Sequence, residues 1–97
     1  MQVRFLTPAR HDLLRAVEYY QSEEAASAAA AFLNEVDEAR DLISDFPRLG
    51  APAPKGTRRV QLHSFPYSLI YRIDEDIVRV FAVQHHSMEP RSWEARL

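Results

Sequence analysis

Between Arg58 and Gln84 the chain runs through three strand-length segments, and the last two are apolar on both faces. Residues 58–63 alternate, with Val60 and Leu62 pointing one way and Arg59, Gln61 and His63 the other. Residues 65–73 place Phe65, Tyr67, Leu69, Tyr71 and Ile73 on one face and Ser68, Ile70 and Arg72 on the other. Residues 77–84 carry Ile77, Val78, Val80, Phe81, Ala82 and Val83. Strands with two apolar faces belong in the middle of a sheet. Asp74-Glu75-Asp76 reads as a tight polar turn between them. Pro66 sits near a strand start, where a missing N–H donor is tolerated.

The first half of the chain has helical periodicity. Residues 2–6 alternate and form a short first strand, with Val3 and Phe5 on one face. Thr7 is placed to cap a helix that Pro8 opens. Its inner stripe is Ala9, Leu13, Val17 and Tyr20, widened by Leu14. Ser22 is a second candidate cap, and Glu23 and Glu24 suit the positive end of a helix dipole. The second helix runs to Phe46 and stops before Pro47. Its apolar line is Ala25, Ala29, Phe32, Val36, Ala39, Ile43 and Phe46. The short joint at 20–23 makes the two helices an antiparallel hairpin. Residues 47–57 hold Pro47, Gly50, Pro52, Pro54 and Gly56 and read as a loop. A short helix near 89–96 closes the chain. The expected order is β-α-α-β-β-β, an α+β fold in one domain over residues 1–97.

Composition narrows the chemistry. The chain has no cysteine, so disulfides, thiolate metal sites and thiol nucleophiles are excluded. A histidine metal site is not expected, for no His-Glu-x-x-His pattern occurs. There is no glycine-rich phosphate loop, and no cofactor is expected. No apolar run reaches the roughly 20 residues that span a bilayer, and the N-terminus lacks a long apolar leader, so a cytoplasmic location without a membrane partner is expected. Net charge is −2, but residues 1–46 hold four Arg against nine carboxylates, while residues 47–97 hold eight Lys/Arg against five. The strand-rich half is therefore basic, which suits an acidic partner or nucleic acid.

Several pieces recur in a recognisable order. They are Tyr19-Tyr20, Phe32, Pro47-Arg48-Leu49-Gly50, Arg58 or Arg59, Phe65-Pro66-Tyr67, Leu69-Ile70-Tyr71-Arg72-Ile73, Ala82-Val83, His85, Pro90, Trp93 and Arg96. In this order and spacing, over essentially the whole chain, the sequence resembles the RelE/ParE superfamily of bacterial toxins from type II toxin–antitoxin modules. The resemblance implies a helical hairpin on a curved antiparallel sheet. It also implies an antitoxin that wraps the toxin with an extended or helical segment, for which Leu14, Tyr19 and Phe32 are the candidate contacts. DNA would be reached only through that antitoxin.

The superfamily divides between mRNA cleavage on the ribosome and poisoning of DNA gyrase, and the site decides between them. By spacing, the positions that carry the nuclease chemistry fall here on Arg59, Gln61, Ser68, Ser87 and Trp93, and only Arg59 keeps it. Serine cannot replace a guanidinium clamp, and indole offers no comparable proton transfer. That loss favours a gyrase-directed toxin with target contacts from Arg58, Arg72, Arg91, Trp93 and Arg96. The alternative for Trp93 is that it packs on the sheet and pins the tail. A ribonuclease using Arg59, His63 and His85 is the competing expectation, since imidazole titrates in the range acid–base catalysis needs. A non-toxic, antitoxin-binding relic is the third. His85 and His86 are adjacent in an extended segment, so their rings should point opposite ways.

Overall fold

The computed structural model describes residues 1–23 and 26–97. Two helices, α1 (Thr7–Ser22) and α2 (Ala26–Asp45), follow a first strand β1 (Gln2–Phe5). Strands β2 (Ala51–Ala53), β3 (Thr57–Gln61), β4 (Tyr67–Asp74) and β5 (Ile77–His85) complete a five-stranded sheet in the order β1-β5-β4-β3-β2. The two strands with doubly apolar faces, β4 and β5, are indeed central. They join through Glu75-Asp76, and Glu75 takes φ 57° to close the turn.

Several boundaries differ from expectation for physical reasons. The segment 47–57 is not all loop, because Ala51–Ala53 pairs with β3 as an edge strand. Pro52 lacks an N–H, which an edge position tolerates, and this disguises the strand. β1 runs parallel to β5, so the sheet is mixed rather than wholly antiparallel. Leu6, not Thr7, is the helix cap. Its N–H still donates to Val80 O at 3.0 Å, so the chain is extended there and Thr7 is already helical. Ser22 ends α1 instead of capping α2, and its hydroxyl donates back to Tyr19 O at 2.8 Å. The roles expected of Glu24 and Ala25 lie outside the described residues. The closing helix is a 3₁₀ turn over Ser92–Arg96.

The core lies between the hairpin and one sheet face. Ala29, Phe32, Val36, Ala39 and Ile43 of α2 are buried along one line, as its spacing requires. Phe46 lies beyond the helix end and is exposed. On α1 the buried stripe is Ala9, Asp12 and Ala16, flanked by Leu13, Val17 and Tyr20, while Leu14 faces solvent. An aromatic group closes one end of this layer. Tyr20, Phe32, Phe65 and Tyr67 pack with ring centroids 5.0–6.4 Å apart in tilted or edge-to-face contacts. On the opposite face Ile70, Ala82 and Trp93 form a smaller cluster.

Tyr71 ties the 47–50 segment to the sheet. Its buried hydroxyl donates to Pro47 O at 2.7 Å and accepts from Gly50 N at 2.9 Å. A Cβ at Gly50 would sit 2.7 Å from that oxygen and 2.9 Å from the ring. Gly50→Ala should therefore lower stability by about 1–3 kcal/mol through forced repacking. The urea midpoint should fall at unchanged m-value, and an unmoved midpoint would show that the loop yields freely.

Candidate functional site

The parity of β5 changes once, and that change builds the site. Ile70 pairs with Ala82 and Tyr71 with Val80, so Phe81 is the extra residue of a β-bulge. Val78 and Val80 face the helices before the bulge, and Val83 does so after it. Ala82 is thereby turned to the open face beneath Trp93. His85 is the last residue of the strand and His86 lies in the turn after it, so they take different partners although both border one cleft on the open face. His85 packs edge-on to Tyr67, with centroids 4.9 Å apart, and His86 bonds to Ser68.

On the open face lies a cleft of about 510 Å³. One wall is the β2 segment from Ala51 to Pro54, and the other is the tail from His86 to Trp93. Ile70 and Arg59 form part of its lining between them, with Gln84 and His85. The polar centre is a short chain of hydrogen bonds. Arg59 Nε donates to Ser68 Oγ at 3.0 Å, and Ser68 Oγ lies 3.0 Å from His86 Nε2. Ser68 has no exposed surface, so it bridges its neighbours and is not open to a substrate. His85 turns its Nδ1 to the Ser87 amide and hydroxyl, at 2.9 and 2.7 Å. Among the described residues no three His, Asp or Glu gather to hold a metal ion.

The tail that walls this cleft is held by three devices. Gln84 Nε2 donates to Glu89 O at 2.8 Å and to Pro90 O at 3.2 Å. Trp93 is 2% exposed, and its indole N–H donates to Pro90 O at 3.0 Å. Arg96 reaches through to Asp12 of α1, at 2.6 and 3.1 Å. Asp12 is 6% exposed and also accepts from Val83 N at 3.0 Å and from Arg15. Arg96 further donates to Phe81 O at 3.0 Å. β1 ends opposite Val80, so beyond that point β5 has no strand on its α1 side. The Asp12–Arg96 pair takes over the hydrogen bonds that a longer β1 would have made.

The residues singled out from sequence divide accordingly. Arg59 and His85 line the cleft together. His63 does not, because it lies beside Glu35 of α2. Burial alone would raise the Glu35 carboxyl, but hydrogen bonds from Ser64 and the His63 amide, with the His63 ring charge, outweigh it and hold the carboxyl below its usual range. Arg91 is at the rim of the cleft and pairs with Glu94. Trp93 and Arg96 are not free contacts, for they pin the tail. Arg58 clamps the 48–50 backbone, donating to Gly50 O at 2.8 Å and Arg48 O at 3.1 Å. Arg72 bonds Asp74 at 3.0 Å and lies over the Phe81 ring at 5.1 Å. Phe32 has no exposed surface and belongs to the core, whereas Leu14 and Tyr19 are exposed on α1. The sequence places Ser68 at a position of the nuclease pattern and His86 beside His85 but gives neither the bonding role seen here. Asp12 and Gln84 are not identified from sequence as site residues, and of these two Asp12 alone carries a signal, its spacing with Ala9 and Ala16 on one helical face.

A second, shallower groove of about 190 Å³ runs between α1 and the unpaired side of β5, with Arg15, Tyr19, Val83 and Met88 among its lining. Among the described residues no helix is long and apolar enough to cross a membrane.

A family model described as the ParE toxin of the type II toxin–antitoxin system parDE matches residues 3–90. Among solved structures, a chain of the chromosomal ParDE system from P. aeruginosa superposes with a TM-score of 0.77 at 18% identity, covering 88% of this chain and 95% of that one. A chain of the RelBE2 toxin–antitoxin complex from Mycobacterium tuberculosis gives a TM-score of 0.53 at 29% identity, covering 87% and 95%. A search of curated proteins finds no match.

Proposed function

This chain belongs to the ParE toxin family of type II toxin–antitoxin systems, and from that premise we propose that a cognate antitoxin restrains it and that, once free, it acts by binding DNA gyrase rather than by cutting RNA. The observation that carries this reading is the state of the open-face cleft. RNA cleavage through the 2′-hydroxyl needs cations around the phosphate and a proton acceptor in reach. The position expected to supply a second guanidinium is Ser68, which is sealed from solvent. The tail position expected to supply a phenol is Trp93, which is buried and bonded to Pro90. His63 is not among the residues that line the cleft with Arg59 and His85. These features support action by contact. Arg91, Arg72 and Arg59 are among the partly or fully exposed cations from which a target surface would be built.

For the antitoxin, the groove between α1 and β5 is the favoured seat. Asp12 and Arg96 already bond the Val83 N–H and Phe81 C=O there. The seat is therefore one for side-chain contact with an amphipathic segment, to which exposed Tyr19 and Leu14 offer apolar surface. Leu14 and Tyr19 stay in this role, and Phe32 drops out because the core hides it.

Gyrase, supercoiled DNA and the purified chain should together accumulate cleaved DNA complexes, and adding antitoxin should suppress them. Absence of such complexes at saturating protein would remove gyrase as the target. In cells, induced expression should stop DNA synthesis first, and the His63→Ala, His85→Ala double variant should be as toxic as the parent. Early arrest of translation would instead favour the ribonuclease, and no arrest in any channel would favour the relic.

A further inference from the structure

We propose that Arg4, Arg79 and Arg72, aligned across three strands on the open face of the sheet, form a docking surface for an acidic α-helix of a protein partner other than the antitoxin. The inference does not rest on the gyrase reading, because it uses only the register and pairing of these side chains.

The register assembles the row. Arg4 of β1 stands opposite Arg79 of β5, and Arg79 stands opposite Arg72 of β4. Their strand neighbours Val3, Phe5, Val78, Val80, Tyr71 and Ile73 pack on the helix side, so the three arginines share the open face. Side chains directly opposite one another have Cβ atoms about 5 Å apart, and like charges there destabilise a sheet. Folding alone gives no reason to line up three. Asp74 is the one carboxylate that pairs with them among the described residues, 3.0 Å from Arg72 Nε and 3.3 Å from Arg79 Nε. Arg4 is exposed and has no ion pair among the described residues. Three cations against one carboxylate leave two positive charges uncompensated. Arg72 also lies over the Phe81 ring at 5.1 Å, so Asp74 and Phe81 hold its guanidinium in place before any partner arrives.

Spacing selects the partner. Neighbouring strands are about 4.8 Å apart, so the row spans about 10 Å. On a helix, carboxylates three or four residues apart stand about 5–6 Å from one another, which matches the strands. On an extended segment, side chains of one face recur only every about 6.8 Å. A helix laid across the strands with acidic residues at i, i+4 and i+7 therefore meets all three guanidinium groups. The row ends at the sheet edge beyond β1, and on β4 Asp74 is followed by Glu75 and Asp76. That basic track is too short for a nucleic-acid strand, whose affinity comes from many phosphate contacts. The row is also separate from the antitoxin seat, for none of its arginines lines the groove between α1 and β5.

A labelled alanine-based helical peptide with glutamates at i, i+4 and i+7 would be titrated with the purified full chain by fluorescence anisotropy. The comparisons are a peptide of equal composition with its glutamates spread around the helix, and a short DNA duplex. We expect saturable binding of the patterned peptide, at least about fivefold tighter than of the spread one. Arg4→Gln combined with Arg79→Gln should weaken it about fivefold or more, the scale of losing two exposed ion pairs. The unfolding temperature of that variant should hold or rise, because like charges are removed, which separates lost binding from misfolding. Arg40→Gln, exposed on α2, should bind as the parent does. Equal affinity for the two peptides, or undiminished binding by the double variant, would overturn the surface. Tighter binding of the duplex, lost in the same variant, would give the row to nucleic acid and overturn the protein partner. Competition by the antitoxin would give the row to the antitoxin, and self-association abolished by Arg79→Gln would give it to a second copy; either overturns a separate partner. Gyrase is absent from every arm, so failure here leaves the gyrase reading untouched.

Discussion

Replacing Asp12 with alanine is expected to destabilise the fold by about 3–4 kcal/mol, in the lower part of the range for breaking a buried ion pair. The lower part applies because the Arg96 side chain keeps a quarter of its exposure and can recover some hydration. The variant loses more than Coulomb attraction. It leaves the Val83 N–H without its acceptor and frees the tail that Arg96 pins. The unfolding temperature should drop by more than about 10 °C, given the entropy of unfolding of a domain this size. Asp12→Leu combined with Arg96→Met should recover only part of the loss. It removes the stranded charge but leaves Val83 N–H and Phe81 C=O unpaired at the strand edge. Thermal and urea unfolding of the parent, Asp12→Leu, Arg96→Met and the double variant measures the coupling. Additive losses would show that the pair is not a unit.

Phe32→Ala is expected to cost about 3–5 kcal/mol, the scale for emptying a buried aromatic site. Phe32 has no exposed surface and touches three other rings, which cannot collapse far without breaking their own contacts. Tyr19→Ala is the paired control. Tyr19 is 56% exposed, so stability should move by no more than about 0.5 kcal/mol, while antitoxin affinity should fall. A stable Phe32→Ala protein with weakened antitoxin binding would restore Phe32 to the partner surface and contradict the packing described here.

Much of the fold was legible because burial imprints its period on sequence. The α2 line from Ala29 to Ile43 was read correctly, since every fourth or third residue must meet the sheet. The centrality of β4 and β5 followed from their two apolar faces. Errors fell where period carries no information. Ala51-Pro52-Ala53 has too few residues to show alternation, and its proline reads as a breaker. Leu14 was given to the core by hydropathy, yet the buried position on that turn belongs to Asp12, whose partner is 84 residues away.

The candidate site was less legible for the same reason. Arg59 was identified, because its strand alternates cleanly. His86 was passed over in favour of His85 because either neighbour could face the cleft. The bulge at Phe81 decides which residue faces which way, and a bulge has no signature in a run of small apolar residues. Trp93 and Arg96 looked like contact residues in an unplaced tail, and one indole–carbonyl bond and one ion pair turned them into anchors.

The sequence by itself determined the α+β class, the hairpin, the central strands and the basic character of the strand half. Each of these follows from local spacing and composition, which survive in one dimension. Tertiary structure alone decided the strand order with β1 beside β5, the parity switch in β5, and the meeting of Arg59, Ser68 and His86. Those depend on which distant groups satisfy one another's hydrogen bonds once the chain is closed, and no window of neighbouring residues contains both partners.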